Sequence, residues 1–91
     1  MKIREWLGEI SYTLQQGSLD AEVSEVVYDS RKAGPGAVFI CMKGTRRDSH
    51  DFISQVTEAG VRVLVTEHPV EVSSQVTVIV VGNGREALAR L

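Results

Sequence analysis

The run Ala37-Val38-Phe39-Ile40-Cys41-Met42 constrains the fold more than any other feature, because no polar side chain interrupts it at alternate positions. A strand with one face in water alternates apolar with polar residues. This run therefore predicts a strand covered on both faces, in the middle of a sheet flanked by helices. Residues 61–66 and 76–81 read as further apolar strands, and residues 23–29 as another that reaches the central run through the turn Gly34-Pro35-Gly36.

Helical spacing falls between these strands. Ile3, Trp6, Leu7 and Ile10 recur at i, i+3, i+4, i+7, which predicts an opening amphipathic helix closed off by Gly17 and Ser18. Phe52, Ile53, Val56, Ala59 and Gly60 share one side of a second helix, with Asp48 or Ser49 as its cap. Asn83 and Glu86 stand at capping-box spacing ahead of Ala87, Leu88 and Leu91, the apolar face of a third. Strands alternating with helices indicate an α/β sandwich. The third helix has no C-cap before Leu91, which predicts that the natural polypeptide continues. Residues 1–91 make one domain, without an internal repeat or a second boundary.

Composition removes several function classes. With 43% apolar and 24% charged residues the chain has the balance of an ordinary globular protein. A net charge of -2, with basic residues scattered along the chain, gives no cationic face for nucleic acid. The start Met1-Lys2-Ile3-Arg4-Glu5-Trp6 has neither a signal-peptide core nor a spanning segment, so a cytoplasmic protein without membrane insertion is predicted. Cys41 is the single cysteine and reads as a buried, reduced thiol.

Familiar catalytic patterns fail on inspection. Gly82-Asn83-Gly84-Arg85-Glu86-Ala87 matches the letters of a dinucleotide-binding turn, but the acidic residue that would hold a ribose has no place in the chain, and a capped helix start explains the same residues. Asp29, Ser30 and His50 are the residue types of a hydrolase triad, yet Ser30 lacks the G-x-S-x-G elbow. His50, His68 and Cys41 lie in dissimilar settings without ligand spacing, so no metal site is predicted. There is no G-x-x-x-x-G-K-[ST] to hold ATP.

Two polar segments remain, Tyr28-Asp29-Ser30-Arg31 and Lys43-Gly44-Thr45-Arg46-Arg47-Asp48, each where an apolar strand gives way to a loop. If their strands are neighbours, both border one crevice at the strand ends, where α/β sheets bind ligands. Gly44 allows close backbone approach, Ser30 and Thr45 carry hydroxyls, and Arg46 and Arg47 carry guanidinium forks that match phosphate oxygens. On composition alone a solubilising role for the arginines, with Asp29 and Arg31 pairing locally, is the stronger reading.

Read together, residues 27–40 and 43–53 resemble the N-terminal domain shared by MurE and MurF ligases. The segments carry D-S-R, then P-G, an apolar strand with Phe, G-T, and D-S-H-D-F-I in the family order. Arg85-Glu86-Ala87-Leu88-Ala89-Arg90-Leu91 is similar to the R-E-A-L-A-x-L segment of MurE-type enzymes, which favours MurE over MurF. The resemblance implies a small three-layer sandwich with a mixed, mainly parallel sheet of about five strands. It implies a domain that holds the UDP end of UDP-MurNAc-L-Ala-D-Glu for an ATP-dependent ligase of peptidoglycan synthesis. That parent enzyme would use ATP and Mg2+ in its other domains to join meso-diaminopimelate or L-lysine to the D-Glu carboxyl, and no catalytic residue or cofactor is expected in this chain.

Position by position, the resemblance implies that Ser30 contacts the nucleotide sugar and Tyr28 the uridine, while Thr45, Arg46 and Arg47 form the second nucleotide loop. Asp29 and Arg31 would shape the first loop, and Gly44, Asp48 and His50 the second. Ser49 stands where the family usually has glycine, and a positive φ there would cost a serine about 1 to 2 kcal/mol. Two rivals from other classes are a non-catalytic interaction or regulatory module with the same fold, and the nucleotide-binding start of a dehydrogenase.

Overall fold

The computed structural model describes residues 1–42 and 49–88, without the side chains of Ser49 and Leu88. Its sheet contains β1 (Tyr12–Gln16), β2 (Glu25–Val27), β3 (Ala37–Ile40), β4 (Val63–Thr66) and β5 (Thr77–Val81), in the spatial order β1-β5-β4-β3-β2. Strands β2 to β5 run parallel, and β1 is antiparallel to β5 at one edge. Helices α1 (Ile3–Leu7), α2 (Ile53–Glu58) and α3 (Gly84–Leu88) accompany them, with 3-10 turns at Ser30–Lys32 and Ser49–Phe52.

The double-sided run of β3 explains the layering. Val38 and Ile40 face one core with Val63, Val65, Ile79 and Val81, closed by Ile3, Trp6 and Leu7 of α1 and Ala87 of α3. Phe39 and Cys41 face the other with Val27, Leu64 and Val78, closed by Val56 of α2 and Val61. Every residue of β3 and of β4 is buried, as a strand sandwiched between two helical layers requires. The architecture is the three-layer α/β sandwich with a mixed, mainly parallel five-stranded sheet, and Cys41 is a buried cysteine inside it.

One expectation is corrected. The opening helix does not run on toward Gly17 but ends at Leu7, where Gly8 takes a φ of 55° and returns its N–H to the Arg4 carbonyl. The apolar face was read rightly, since Ile3, Trp6, Leu7 and Ile10 are all buried, but Ile10 reaches the core from beyond the helix. Strand β1 follows, and its exposed Tyr12 and Leu14 belong to a sheet edge rather than to a helix.

The connection from β4 to β5 contains no described helix and is held from the side. Backbone register shifts between Leu14 and Gln16, and Gln15 trades two bonds with the Val70 backbone, donating from Nε2 to the carbonyl at 2.6 Å and accepting the N–H at 2.9 Å. Gln16 Nε2 donates to the carbonyls of Ser73 at 2.8 Å and Val76 at 2.7 Å. Two glutamines thus satisfy backbone groups that a helix or sheet ladder would otherwise have to pair.

Parallel register has one consequence for function. Because Val27 pairs with Phe39, Ile40 with Val65 and Thr66 with Val80, four strands end at the same edge of the sheet. Tyr12 at the start of β1 pairs with Val81, so β1 begins at that edge too.

Candidate functional site

At the end of β2 the chain enters a self-contained turn. Asp29 Oδ1 accepts the Arg31 N–H at 2.9 Å and Arg31 Nε at 3.1 Å, while Nη2 of Arg31 donates to Oδ2 at 2.8 Å. The carboxylate therefore caps the 3-10 turn and receives a forked ion pair from the same neighbour. These bonds, first from the guanidinium and then from the backbone, lower the Asp29 pKa from 3.8 to about 2. Tyr28 projects with 56% of its surface exposed, and Ser30 is half-buried with no hydrogen bond from its hydroxyl among the described residues. Asp29 is committed to Arg31, so it is not the orienting acid of a Ser30-His50 pair.

Strand β3 lies directly beside β2 and parallel to it, so the two strands end side by side. The Cys41 N–H extends the ladder by donating to the Val65 carbonyl at 2.8 Å. Gly44, Thr45, Arg46, Arg47 and Asp48 lie outside the described residues. Ser49 opens the next 3-10 turn.

The end of β4 is built differently. Nε2 of His50 accepts the Glu67 N–H at 3.0 Å, which requires that nitrogen to be unprotonated. The His50 ring stacks on His68 with centroids 4.1 Å apart. Nδ1 of His68 is 3.1 Å from the Pro69 carbonyl, which can only accept, so Nδ1 carries the proton. Thr66 Oγ1 donates to the His68 carbonyl at 2.8 Å, which satisfies a hydroxyl buried at the strand end.

Glu67 continues this contact across the sheet edge, its Oε2 accepting the Gly84 N–H at 2.7 Å. Asn83 Oδ1 takes the next two amides of α3, from Arg85 at 2.9 Å and Glu86 at 3.4 Å. Gly84 packs so closely that a Cβ there would lie 2.8 Å from the Cys41 carbonyl oxygen and 2.7 Å from Met42 Cγ. Gly84 therefore opens a capped helix packed beside the end of β3, and Gly82 precedes it with nothing within 4 Å of where a Cβ would lie. A carboxylate also occupies the amide on which a dinucleotide turn would seat its pyrophosphate.

Two open pockets border this edge. One of about 500 Å3 is lined by His50, Asp51, Ile53, Ser54, His68 and Val70 among others, and one of about 400 Å3 by Ser11, Tyr12, Thr13, Glu67 and Gly82 among others. Among the described residues no group of three or more His, Cys, Asp or Glu side chains is arranged to hold a metal ion. No described helix is long and apolar enough to cross a membrane. Reasoning from sequence missed Glu67, His68, Gln15 and Gln16. Glu67 and His68 had a usable signal, as polar residues immediately after an apolar strand.

The model of the Mur ligase family, catalytic domain, matches residues 22–91. The chain belongs to the Mur ligase family. Within that family it is similar to the UDP-N-acetylmuramoyl-L-alanyl-D-glutamate--2,6-diaminopimelate ligase of Syntrophomonas wolfei, 36% identical over 91 residues, which are 100% of this chain and 19% of that enzyme. It is also similar to the corresponding L-lysine ligase of Staphylococcus haemolyticus, 37% identical over 65 residues, 71% of this chain and 13% of that enzyme. The Mur ligase chain thus spans about a fifth of the length of the first of these relatives. MurF from Acinetobacter baumannii shares the fold with a TM-score of 0.68 and 34% identity, over 75% of this chain and 14% of that one. MurF from Thermotoga maritima, in complex with ADP, gives a TM-score of 0.64 at 28% identity, over 75% of this chain and 16% of that one. The sheet is that of a Mur ligase N-terminal domain, with MurE-type enzymes among its sequence relatives and MurF among its structural ones.

Proposed function

We propose that this Mur ligase domain holds the UDP end of UDP-MurNAc-L-Ala-D-Glu in the crevice at the ends of β2 and β3. The parent protein is then an ATP-dependent ligase of peptidoglycan synthesis that adds meso-diaminopimelate or L-lysine in the cytoplasm. The observation that carries the reading is the parallel pairing of β2 with β3, which ends both strands at one edge of the sheet, with residues 28–31 following the one and Cys41 and Met42 the other. Ser30 offers its uncommitted hydroxyl to the nucleotide sugar, and exposed Tyr28 meets the uridine. The Asp29–Arg31 pair holds the first loop in shape, and Gly44, Asp48 and His50 shape the second.

On this reading ATP and Mg2+ are held by other parts of the parent protein. This chain lacks a phosphate-binding P-loop, and its described carboxylates and imidazoles form no metal cluster. In the proposed division of labour those parts also activate the D-Glu carboxyl, and the role of these residues is to bind and orient the nucleotide end. Two or three charge-assisted hydrogen bonds, net of ordering costs, correspond to a dissociation constant of roughly micromolar to millimolar.

Titrating isotope-labelled protein with UDP, and then with UDP-MurNAc-L-Ala-D-Glu, tests the proposal through backbone amide shifts. Saturable shifts at residues 28–31 and 44–50 are the expected result. Unmoved amides at millimolar concentrations of both ligands, here and in the parent protein, would overturn it.

A further inference from the structure

We propose that the cleft between the start of α2 and the connection leaving β4 binds a guanidinium group on a short apolar stem, the chemistry of an arginine side chain or of a small free guanidine. None of residues 28–31 lines this cleft, and its binding does not depend on the nucleotide reading above. One wall carries His50, Asp51, Ile53 and Ser54, the other His68, Pro69, Val70 and Glu71. The space between them is about 500 Å3, within the range of small-molecule sites.

Both walls are held by the fold. Ile53 and Val70 pack against the core that α2 closes, which gives the cleft an apolar lining. The second wall is pinned from the sheet, where Gln15 exchanges two hydrogen bonds with the Val70 backbone at 2.6 and 2.9 Å. The His68 carbonyl accepts from Thr66 Oγ1 at 2.8 Å, and the His68 ring stacks on His50 with centroids 4.1 Å apart and planes inclined by 20°. A connection without a helix thus keeps one shape, as a preformed site requires.

The polar groups of the lining share one property, that they accept. The Pro69 carbonyl, 3.1 Å from Nδ1 of His68, fixes the proton there, so in the neutral ring Nε2 is an acceptor. Asp51 and Glu71, one on each wall, are exposed carboxylates whose side chains make no hydrogen bond or ion pair among the described residues. No lysine or arginine stands among the described residues that line the cleft. Such a lining repels phosphate and carboxylate groups and selects a ligand that donates.

Two carboxylates alone would be ordinary solvated charges, and the histidine pair is what selects among donors. The His68 ring gives one face to His50, and the residue is itself exposed, so a planar group can continue the stack. Guanidinium is planar, carries five N–H donors and stacks on aromatic faces, whereas an ammonium is a compact point charge with no face to offer. An alkyl stem lies along Ile53 and Val70 while the charged head stays at the wetter end among the carboxylates.

The experiment titrates the labelled 91-residue chain with butylguanidine, butylamine and butylurea, reading backbone amide shifts and the nitrogen shifts of the His68 ring. Butylguanidine should give saturable shifts at Asp51, Ser54, Val70 and Glu71 and move Nε2 of His68 with them. It should bind roughly threefold tighter than butylamine, which lacks the plane, and butylurea, planar but uncharged, should give no response. His68→Ala should erase the preference for guanidinium over ammonium, a change that a purely electrostatic attraction would not show. Asp51→Asn combined with Glu71→Gln should weaken binding by roughly tenfold, about threefold for each exposed pair, without touching a bond that holds the fold. N-acetyl-arginine methylamide reproducing the butylguanidine shifts identifies a peptide side chain as a source, and butylguanidine acting alone restricts the site to free guanidines.

Butylguanidine leaving both walls unmoved at millimolar concentrations overturns the proposal. So does an equal response to all three probes, or a double carboxylate variant that binds like the wild type.

Discussion

After β2 the chain is held by bonds between residues two apart, whereas after β4 it is held by bonds that reach 17 residues in either direction. Both turns leave the same edge of the sheet and both use a carboxylate to receive backbone N–H groups. Both carboxylates are half-buried, but their partners differ: Arg31 has 85% of its side chain exposed, while Gly84 is buried. A local, solvated turn can be altered with little effect on the fold, which suits a surface that meets ligand. A long-range junction carries stability, and altering it disturbs every segment it joins.

The contrast is sharpest at Gly84. Gly84→Val should destabilise the domain by about 3 kcal/mol, since even the first carbon of the new side chain meets the Cys41 carbonyl. Thermal unfolding measures this, and a melting temperature within a degree or two of wild type would mean that α3 stands away from β3 in solution. Glu67→Ala comes next, at about 1 to 2 kcal/mol, because it strands the Gly84 N–H without an acceptor at a partly buried site. Chemical denaturation with an unchanged slope would assign that loss to the folded state.

These two predictions also mark the limit of what the sequence discloses. Strands β3, β4 and β5 are legible because burial on both faces leaves an uninterrupted apolar run, which few other environments tolerate. Strand β1 is not, because an edge strand with exposed Tyr12 and Leu14 and hydrogen-bonding Gln15 and Gln16 has no such run. The turn after β2 is legible because its partners, Asp29 and Arg31, are nearly adjacent in the chain. The position of Glu67 after an apolar strand is visible in the sequence, but its partners are not, since they become neighbours only when β3, β4 and β5 stand side by side.

A smaller effect separates binding from stability on the local side. Ser30→Ala should weaken UDP binding by about 1 kcal/mol, roughly fivefold, while leaving the unfolding midpoint where it was, because its hydroxyl makes no described bond in the free protein. Isothermal titration beside a melting curve makes the comparison. Weaker binding together with a lower midpoint would place Ser30 among the structural residues of the turn.

The smallest effect concerns the ion pair itself. The folded pKa of Asp29 lies at about 2, below its ordinary 3.8, so the pair favours the folded state above pH 4 and loses that contribution as pH falls from about 4 toward 2. Arg31→Ala removes the guanidinium, the larger cause, but keeps the backbone N–H that also bonds the carboxylate. The Asp29 midpoint, followed by carboxyl carbon shifts, should therefore rise in the variant yet stay below 3.8. With the Arg31 side chain 85% exposed, stability at neutral pH should hardly change. A midpoint that does not rise would mean that the fork is open in solution. A rise all the way to 3.8 would mean that Arg31 also maintains the turn through its side chain, in which case the turn after β2 depends on its ion pair as the junction after β4 depends on Glu67.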